Sequence, residues 1–140
     1  VIELACACAN ARRASRLVTQ LYSQELGDGI EPGQFALLTA IAQFPGCTQA
    51  PLGRALGFDK TTLSRNLKLM ARNGWVEAAA GLHLTAAGQT LLTEAKPAWQ
   101  RAQQKLEAEL PAGEWDRMMK SFEMVASAAA RAAAGPAAAD

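Results

Sequence analysis

The run Asp59-Lys60-Thr61-Thr62-Leu63-Ser64-Arg65-Asn66 gathers cationic and hydrogen-bonding side chains at the front of a predicted helix. Leu63, Leu67 and Met70 follow at spacings of four and three, so one side of that helix is buried and its polar side faces outward. The chemistry open to such a face is recognition of a partner rather than bond making. Arg65 can meet a guanine edge with two parallel N–H bonds, Asn66 can pair with adenine, and the methyl of Thr61 or Thr62 can touch thymine. Lys60, Ser64 and Lys68 can hold phosphates, as can Thr48 and Gln49 at the start of an earlier helix. Asp59 stands where its carboxylate can accept N–H bonds at the positive end of the helix.

Charge is distributed to match. Residues 48–74 carry Arg54, Lys60, Arg65, Lys68 and Arg72 against Asp59 alone, while the segments on either side are slightly acidic and the whole chain nets only +1. A local basic block of this kind points to a polyanionic contact.

Catalysis finds little support. A single histidine excludes the two-histidine HExxH zinc motif, no glycine-rich phosphate loop follows a strand, and nothing resembles a nucleophile elbow. No cofactor and no metal centre is expected, and the chain is read as not an enzyme. Its 140 residues suit one domain or one subunit of a small oligomer, and 31 alanines favour close-packed helices. No apolar run reaches the roughly 18 to 20 residues that a membrane span needs, and the start lacks the pattern of a signal peptide. The expectation is a cytoplasmic protein without a membrane partner. Three cysteines, an odd number, argue against a disulfide framework.

The elements that must position the polar face can be read from periodicity and punctuation. A first helix is predicted over about residues 3–26, stopped by Gly27-Asp28-Gly29, and a second follows Pro32 with Phe35, Leu38 and Ile41 on its buried stripe. Thr48 is the expected N-cap of a short third helix carrying Leu52 and Leu56, which Gly57 ends. The Asp59 helix closes at Asn73-Gly74. Trp75-Val76-Glu77 and Leu82-His83-Leu84 are strand-like, and a long helix runs from Thr85 to about Leu110 with Pro97 expected to kink it. A last helix carries Trp115, Met118, Met119, Phe122 and Val125, and the tail from Ala132 reads as frayed. Two short helices joined by a glycine turn and followed by a strand pair make a winged helix-turn-helix. The fold class is therefore mainly α with a small β-wing.

The stretch from Ile30 through Gly88, IEPGQFALLTAIAQFPGCTQAPLGRALGFDKTTLSRNLKLMARNGWVE and the following LHLTAAG, resembles the MarR family of bacterial transcription regulators. The helices on both sides fit as well. The resemblance implies a homodimer whose N- and C-terminal helices (1–29 and 86–140) form the dimerisation region around a DNA-binding lobe at 30–85. It also implies a repressor that binds a near-palindromic stretch of double-stranded DNA and is released by a small molecule. Apolar side chains on the last helix, with Leu4 and Ala7 on the first, exceed what a small core needs and independently suggest an interface. One departure stands out. Family wings carry an arginine that enters the minor groove, whereas the span from Val76 to Leu84 holds neither arginine nor lysine. Either the wing is truncated or part of it is missing from this sequence, and as it stands weaker binding follows.

For the effector, Arg16, Tyr22, Phe35 and Trp99 are the expected wall residues by position in the family, and an arginine beside aromatic rings suits a small phenolic or aromatic acid. Thiols offer an alternative trigger through Cys6, Cys8 or Cys47. Cys6 and Cys8 are expected as small residues buried on a helix, pointing about 200° apart and so unable to grip one metal together without fraying the helix. Cys47, in a loop, is the expected exposed thiol. A second alternative is a helical interaction module that binds a partner protein and no DNA.

Overall fold

The computed structural model describes residues 3–136. Among these it contains six α-helices and a two-stranded antiparallel sheet. The chain divides into two compact units, residues 1–102 and 103–140.

The first helix, α1, runs Ala7–Leu26 and starts four residues later than periodicity suggests. Cys6 is extended, with φ −120° and ψ 111°, and the Asn10 amide donates to the carbonyls of Leu4 and Cys6 at 2.8 and 3.1 Å. The Cys6 carbonyl also accepts the Asn10 backbone N–H and so opens the helix, whereas the Leu4 carbonyl is held by the side chain alone, a local bond that competes with a further helical turn. At the other end Gly27 adopts φ 69° and its N–H bonds back to the Ser23 carbonyl.

After a single 3₁₀ turn, α2 spans Pro32–Gln43. Its start is a reciprocal capping box in which the Glu31 side chain accepts from the backbone at Gln34, and the Glu31 N–H donates to Gln34 Oε1 at 3.1 Å. α3 covers Gln49–Leu56 and α4 covers Lys60–Arg72. Thr48 occupies the N-cap position of α3, as the sequence suggests, yet its hydroxyl makes no capping bond. The tight turn between α3 and α4 depends on Gly57, left-handed at φ 72°. Close packing of the two helices depends on Gly53: a Cβ there would stand 3.1 Å from Leu63 and 3.2 Å from the Phe58 carbonyl.

Strands β1 (Val76–Ala78) and β2 (Leu82–Leu84) pair Val76 with Leu84, Glu77 with His83 and Ala78 with Leu82. Trp75 lies just outside β1, which begins one residue later than its apolar run implies. The hairpin is also tied to the loop before α3: Gly46 N–H donates to the Leu82 carbonyl and Leu82 N–H to the Cys47 carbonyl, at 2.8 and 2.9 Å. Its tip is Ala79-Ala80-Gly81, with Ala80 at φ 51°, a conformation uncommon for residues other than glycine.

The core of the first unit sits where α2, α3, α4 and the hairpin meet. Leu37, Leu38, Ile41 and Met70 are fully enclosed, with Leu52, Leu63, Leu67, Val76 and Leu82 around them. α5 (Ala86–Glu109) adds Ala95 to this cluster, and Thr85 caps it by accepting the Gly88 N–H at 3.0 Å. The helix continues unbroken through Pro97. The proline frees the carbonyl four residues earlier, that of Thr93, whose residue is exposed to water. At the start of the same unit Glu25 pairs with Arg101 at 3.2 Å, joining α1 to α5.

The second unit contains α6, Glu114–Ala134. Glu114 and Asp116 in its first turn and Arg131 in its last complement the helix dipole. Met119, Phe122, Met124 and Val125 are all at least half exposed. The helix continues three residues, Ala132 to Ala134, into the tail read as frayed, and residues 137–140 of that tail lie outside the described ones.

Candidate nucleic-acid interface

The N-terminus of α4 is set by Asp59. Its Oδ1 accepts the Thr62 backbone N–H at 2.8 Å and its Oδ2 accepts the Thr62 hydroxyl at 2.7 Å. The backbone bond, then the hydroxyl bond, hold the Asp59 carboxyl below its ordinary pKa. Burial of Leu63, Leu67 and Met70 then fixes how the helix is rotated. Lys60, Thr61, Ser64, Arg65 and Lys68 consequently line one continuous open hollow on its outer side. The face holds three cations and two hydroxyls and no carboxylate.

Thr62 and Asn66 are placed differently. The Thr62 hydroxyl hydrogen is used by Asp59, and the Asn66 amide donates to the Thr62 carbonyl at 3.0 Å. Both lie half-buried on the flank of α4, one turn apart. A bidentate contact from Asn66 to an adenine would need its Oδ1 and one Nδ2 hydrogen, while the other hydrogen stays on the Thr62 carbonyl, so the bond to Thr62 restricts how the amide can turn toward a base. Gln49, at the start of α3, meets Ser64 and Lys68 in a second hollow that Glu77 and Ala78 of the hairpin also line. Thr48 is exposed beside it. Two groups to which the sequence reading assigned no contact lie beside this surface. Arg72 is exposed four residues after Lys68, on the same side of the helix, a spacing visible in the sequence. Glu77 brings a carboxylate to the hairpin side, which only the strand register reveals. His83 is half-buried opposite Glu77, its imidazole against Gly46.

Within the first unit a second concavity, of about 340 Å³, is lined by Tyr22 and Leu26 of α1, by Phe35, Thr39 and Gln43 of α2, and by Trp99 of α5. The Phe35 and Trp99 rings stack with centroids 5.8 Å apart and planes 22° from parallel. Burial raises the Tyr22 phenol above its usual pKa. Three of the four expected wall residues therefore come together. Arg16 does not join them: it lines a separate hollow on α1 with Arg12, Arg13 and Leu17.

A sequence profile of the MarR family matches residues 28–81. The crystal structure of the M. tuberculosis transcriptional regulator MosR is 34% identical in sequence, matches 89% of this chain and 96% of its own, and superimposes with a TM-score of 0.82. The chain belongs to the MarR family. MosR in complex with DNA aligns with 33% identity over 89% of this chain and 96% of that one, at a TM-score of 0.79. The PcaV regulator of Streptomyces coelicolor, solved with its natural ligand, shares the fold at 24% identity, 92% and 98% coverage and a TM-score of 0.80. Among curated proteins none matches at a significant level.

This MarR chain is thus a winged-helix transcription regulator in which α3 and α4 form the helix-turn-helix and β1–β2 the wing. Its wing is short and carries no arginine or lysine. Its cysteines depart from expectation. Cys6 and Cys8 are exposed and Cys47 is half-buried, the reverse of the sequence reading. Cys47 is drawn in by its backbone pairing with Leu82 and its packing against the core, and Cys6 is exposed because α1 starts after it. Among the described residues no cluster of metal-binding side chains is found, and no helix is long and apolar enough to cross a membrane.

Proposed function

We propose that this protein is a cytoplasmic transcriptional repressor that binds a near-palindromic DNA site as a homodimer and releases it when a small aromatic or phenolic molecule occupies the hollow beside Trp99. The observation that carries the reading is the outer face of α4, where Lys60, Thr61, Ser64, Arg65 and Lys68 stand together with no acidic neighbour among the residues lining that face. Arg65 and Thr61 are the base-reading groups. Lys60, Ser64 and Lys68 hold the sugar-phosphate backbone, assisted by Thr48 and Gln49, and Asp59 and Thr62 keep the first turn in place. Residues 30–85 form the DNA-binding lobe.

The dimer rests on residues 1–29 and 86–140. Its support is the exposed apolar side of α6, with Leu4 and Leu17 exposed near and on α1. Apolar patches of that kind are covered by a partner in most soluble proteins, and a two-fold partner would place two α4 helices about one DNA turn apart. The hollow is supported as an effector site by its aromatic walls, and PcaV, a protein of the same fold, was solved with a ligand.

A gel shift of the purified protein on DNA from upstream of its own gene, across a salt series, tests the reading. A specific shift that weakens steeply with salt supports it, since phosphate contacts release counterions. No shift at low salt would leave a helical interaction module.

A second reading is favoured by the position of Cys6 and Cys8. Because Cys6 is extended and outside the helix, the 200° separation of two helical side chains does not hold them apart. A peroxide could convert the two exposed thiols to one disulfide, itself being reduced to water or alcohol, and so distort the start of α1. Loss of the gel shift on peroxide treatment, restored by a thiol reductant and absent in Cys6→Ser, would favour this trigger over a ligand.

A further inference from the structure

The hollow beside Trp99 continues into a second one. Along α2, Phe35, Thr39 and Gln43 recur every four residues, and along α5, Leu92, Lys96 and Trp99 recur at four and three, so each set forms one stripe on its helix. The first hollow and a second of about 250 Å³ share Phe35, Thr39, Gln43 and Trp99 as walls, and Leu92 and Lys96 complete the second. Among the residues lining either hollow, Lys96 alone carries a charge.

The cleft therefore has two unlike ends. Toward α1 it is walled by Tyr22, Leu26 and the stacked Phe35–Trp99 pair. Toward the middle of α5 it is walled by Leu92 and Lys96, while Thr39 and Gln43 line both hollows. The Thr39 hydroxyl already donates to the Phe35 carbonyl at 2.8 Å, which leaves Gln43, Lys96 and the Trp99 indole N–H as the donors lining the second hollow, with Lys96 the one that is charged. The lysine stem can lie along Leu92 and Trp99 while its ammonium stays at the rim.

We propose that Lys96 is the specificity-determining residue of this cleft, selecting a planar aromatic ligand that carries a carboxylate. The ring lies against Phe35 and Trp99 and the carboxylate reaches the Lys96 ammonium and the Gln43 amide. This rests on the reading of the hollow as the effector site, and it gives Lys96 the role that the sequence suggests for Arg16. The eight-residue separation of Phe35 and Gln43 corresponds to about 12 Å along α2, room for a ring with a short acidic arm.

Calorimetric titration of the full chain with cinnamate and with cinnamamide, which share a shape and differ in charge, tests the assignment. The wild type should bind the acid about tenfold more tightly than the amide, the scale of one charge-assisted hydrogen bond. Lys96→Gln should weaken the acid to the level of the amide and leave the amide unchanged, while Lys96→Arg keeps the preference. Equal affinities in the wild type, or a preference that survives in Lys96→Gln, would overturn the role of Lys96. In that case the hollow itself is still tested by Trp99→Ala, which should weaken both ligands. If neither ligand binds the wild type, the hollow as an aromatic site and the role of Lys96 both fall.

Discussion

Asp59 grips Thr62 with both carboxylate oxygens, one on the backbone N–H at 2.8 Å and one on the hydroxyl at 2.7 Å. This pair, three residues apart, decides how the face that we assign to DNA is presented. It orders the first turn of α4 before any partner arrives, and it removes Thr62 from the set of groups able to donate to a base. Base reading then falls to Thr61 and Arg65, about one turn of helix apart, on a helix whose rotation is fixed by Leu63 and Leu67 behind it.

The pH dependence of this cap has a definite sign. The folded Asp59 carboxyl has a lowered pKa, so its stabilisation is complete above the ordinary aspartate value of about 3.9 and is lost as the pH falls through the lower folded value. Thermal stability of the wild type and of Asp59→Asn, compared from pH 6 to pH 2, should show a gap that closes only at the acid end. A gap unchanged down to pH 2 would mean that the carboxylate charge contributes nothing.

The thiols should separate into two classes. Cys6 and Cys8 are exposed and Cys47 is half-buried under the hairpin. Labelling of the reduced native protein with a chromogenic disulfide reagent should release two equivalents quickly and a third slowly, and the slow phase should disappear in Cys47→Ser. Three equal rates would contradict the placement of Cys47.

Core truncation should be costly at the junction of α2 with the helix-turn-helix. Leu38 has no exposed surface, and Leu38→Ala should lower stability by about 2–5 kcal/mol in urea unfolding at fixed protein concentration. Met119→Ala, on the exposed side of α6, should instead change the concentration dependence of unfolding, because its cost falls on association.

Much of this architecture is legible in the sequence because local chemistry and burial agree. Gly27, Gly57 and Gly74 end helices where their positive φ angles are needed, Asp59 caps α4, and Leu63, Leu67 and Met70 turn the helix in the expected direction. The expectations that fail depend on events outside the local pattern. α1 starts late where the Asn10 side chain holds the Leu4 carbonyl. Cys47 is half-buried because its backbone pairs with Leu82, 35 positions along the chain. Arg16 stands apart from Tyr22, Phe35 and Trp99 because its part of α1 lines a different hollow. Lys96 is invisible as a cleft residue until α5 is laid beside α2. None of these pairings is encoded in helical or strand periodicity.

The central claim is that the outer face of α4 reads DNA, and Arg65 tests it most directly. An operator selected from random duplexes by the wild type should be bound by Arg65→Ala with about 1–3 kcal/mol less affinity and with relaxed preference at one base position in each half-site. Lys68→Ala should weaken all sequences alike and reduce the salt slope by about 1. Fluorescence anisotropy on the selected site and on its single-base variants measures both effects. Relaxed specificity in Arg65→Ala alone is the result expected. Unchanged affinity and preference in Arg65→Ala would contradict the assignment of α4 as the recognition helix.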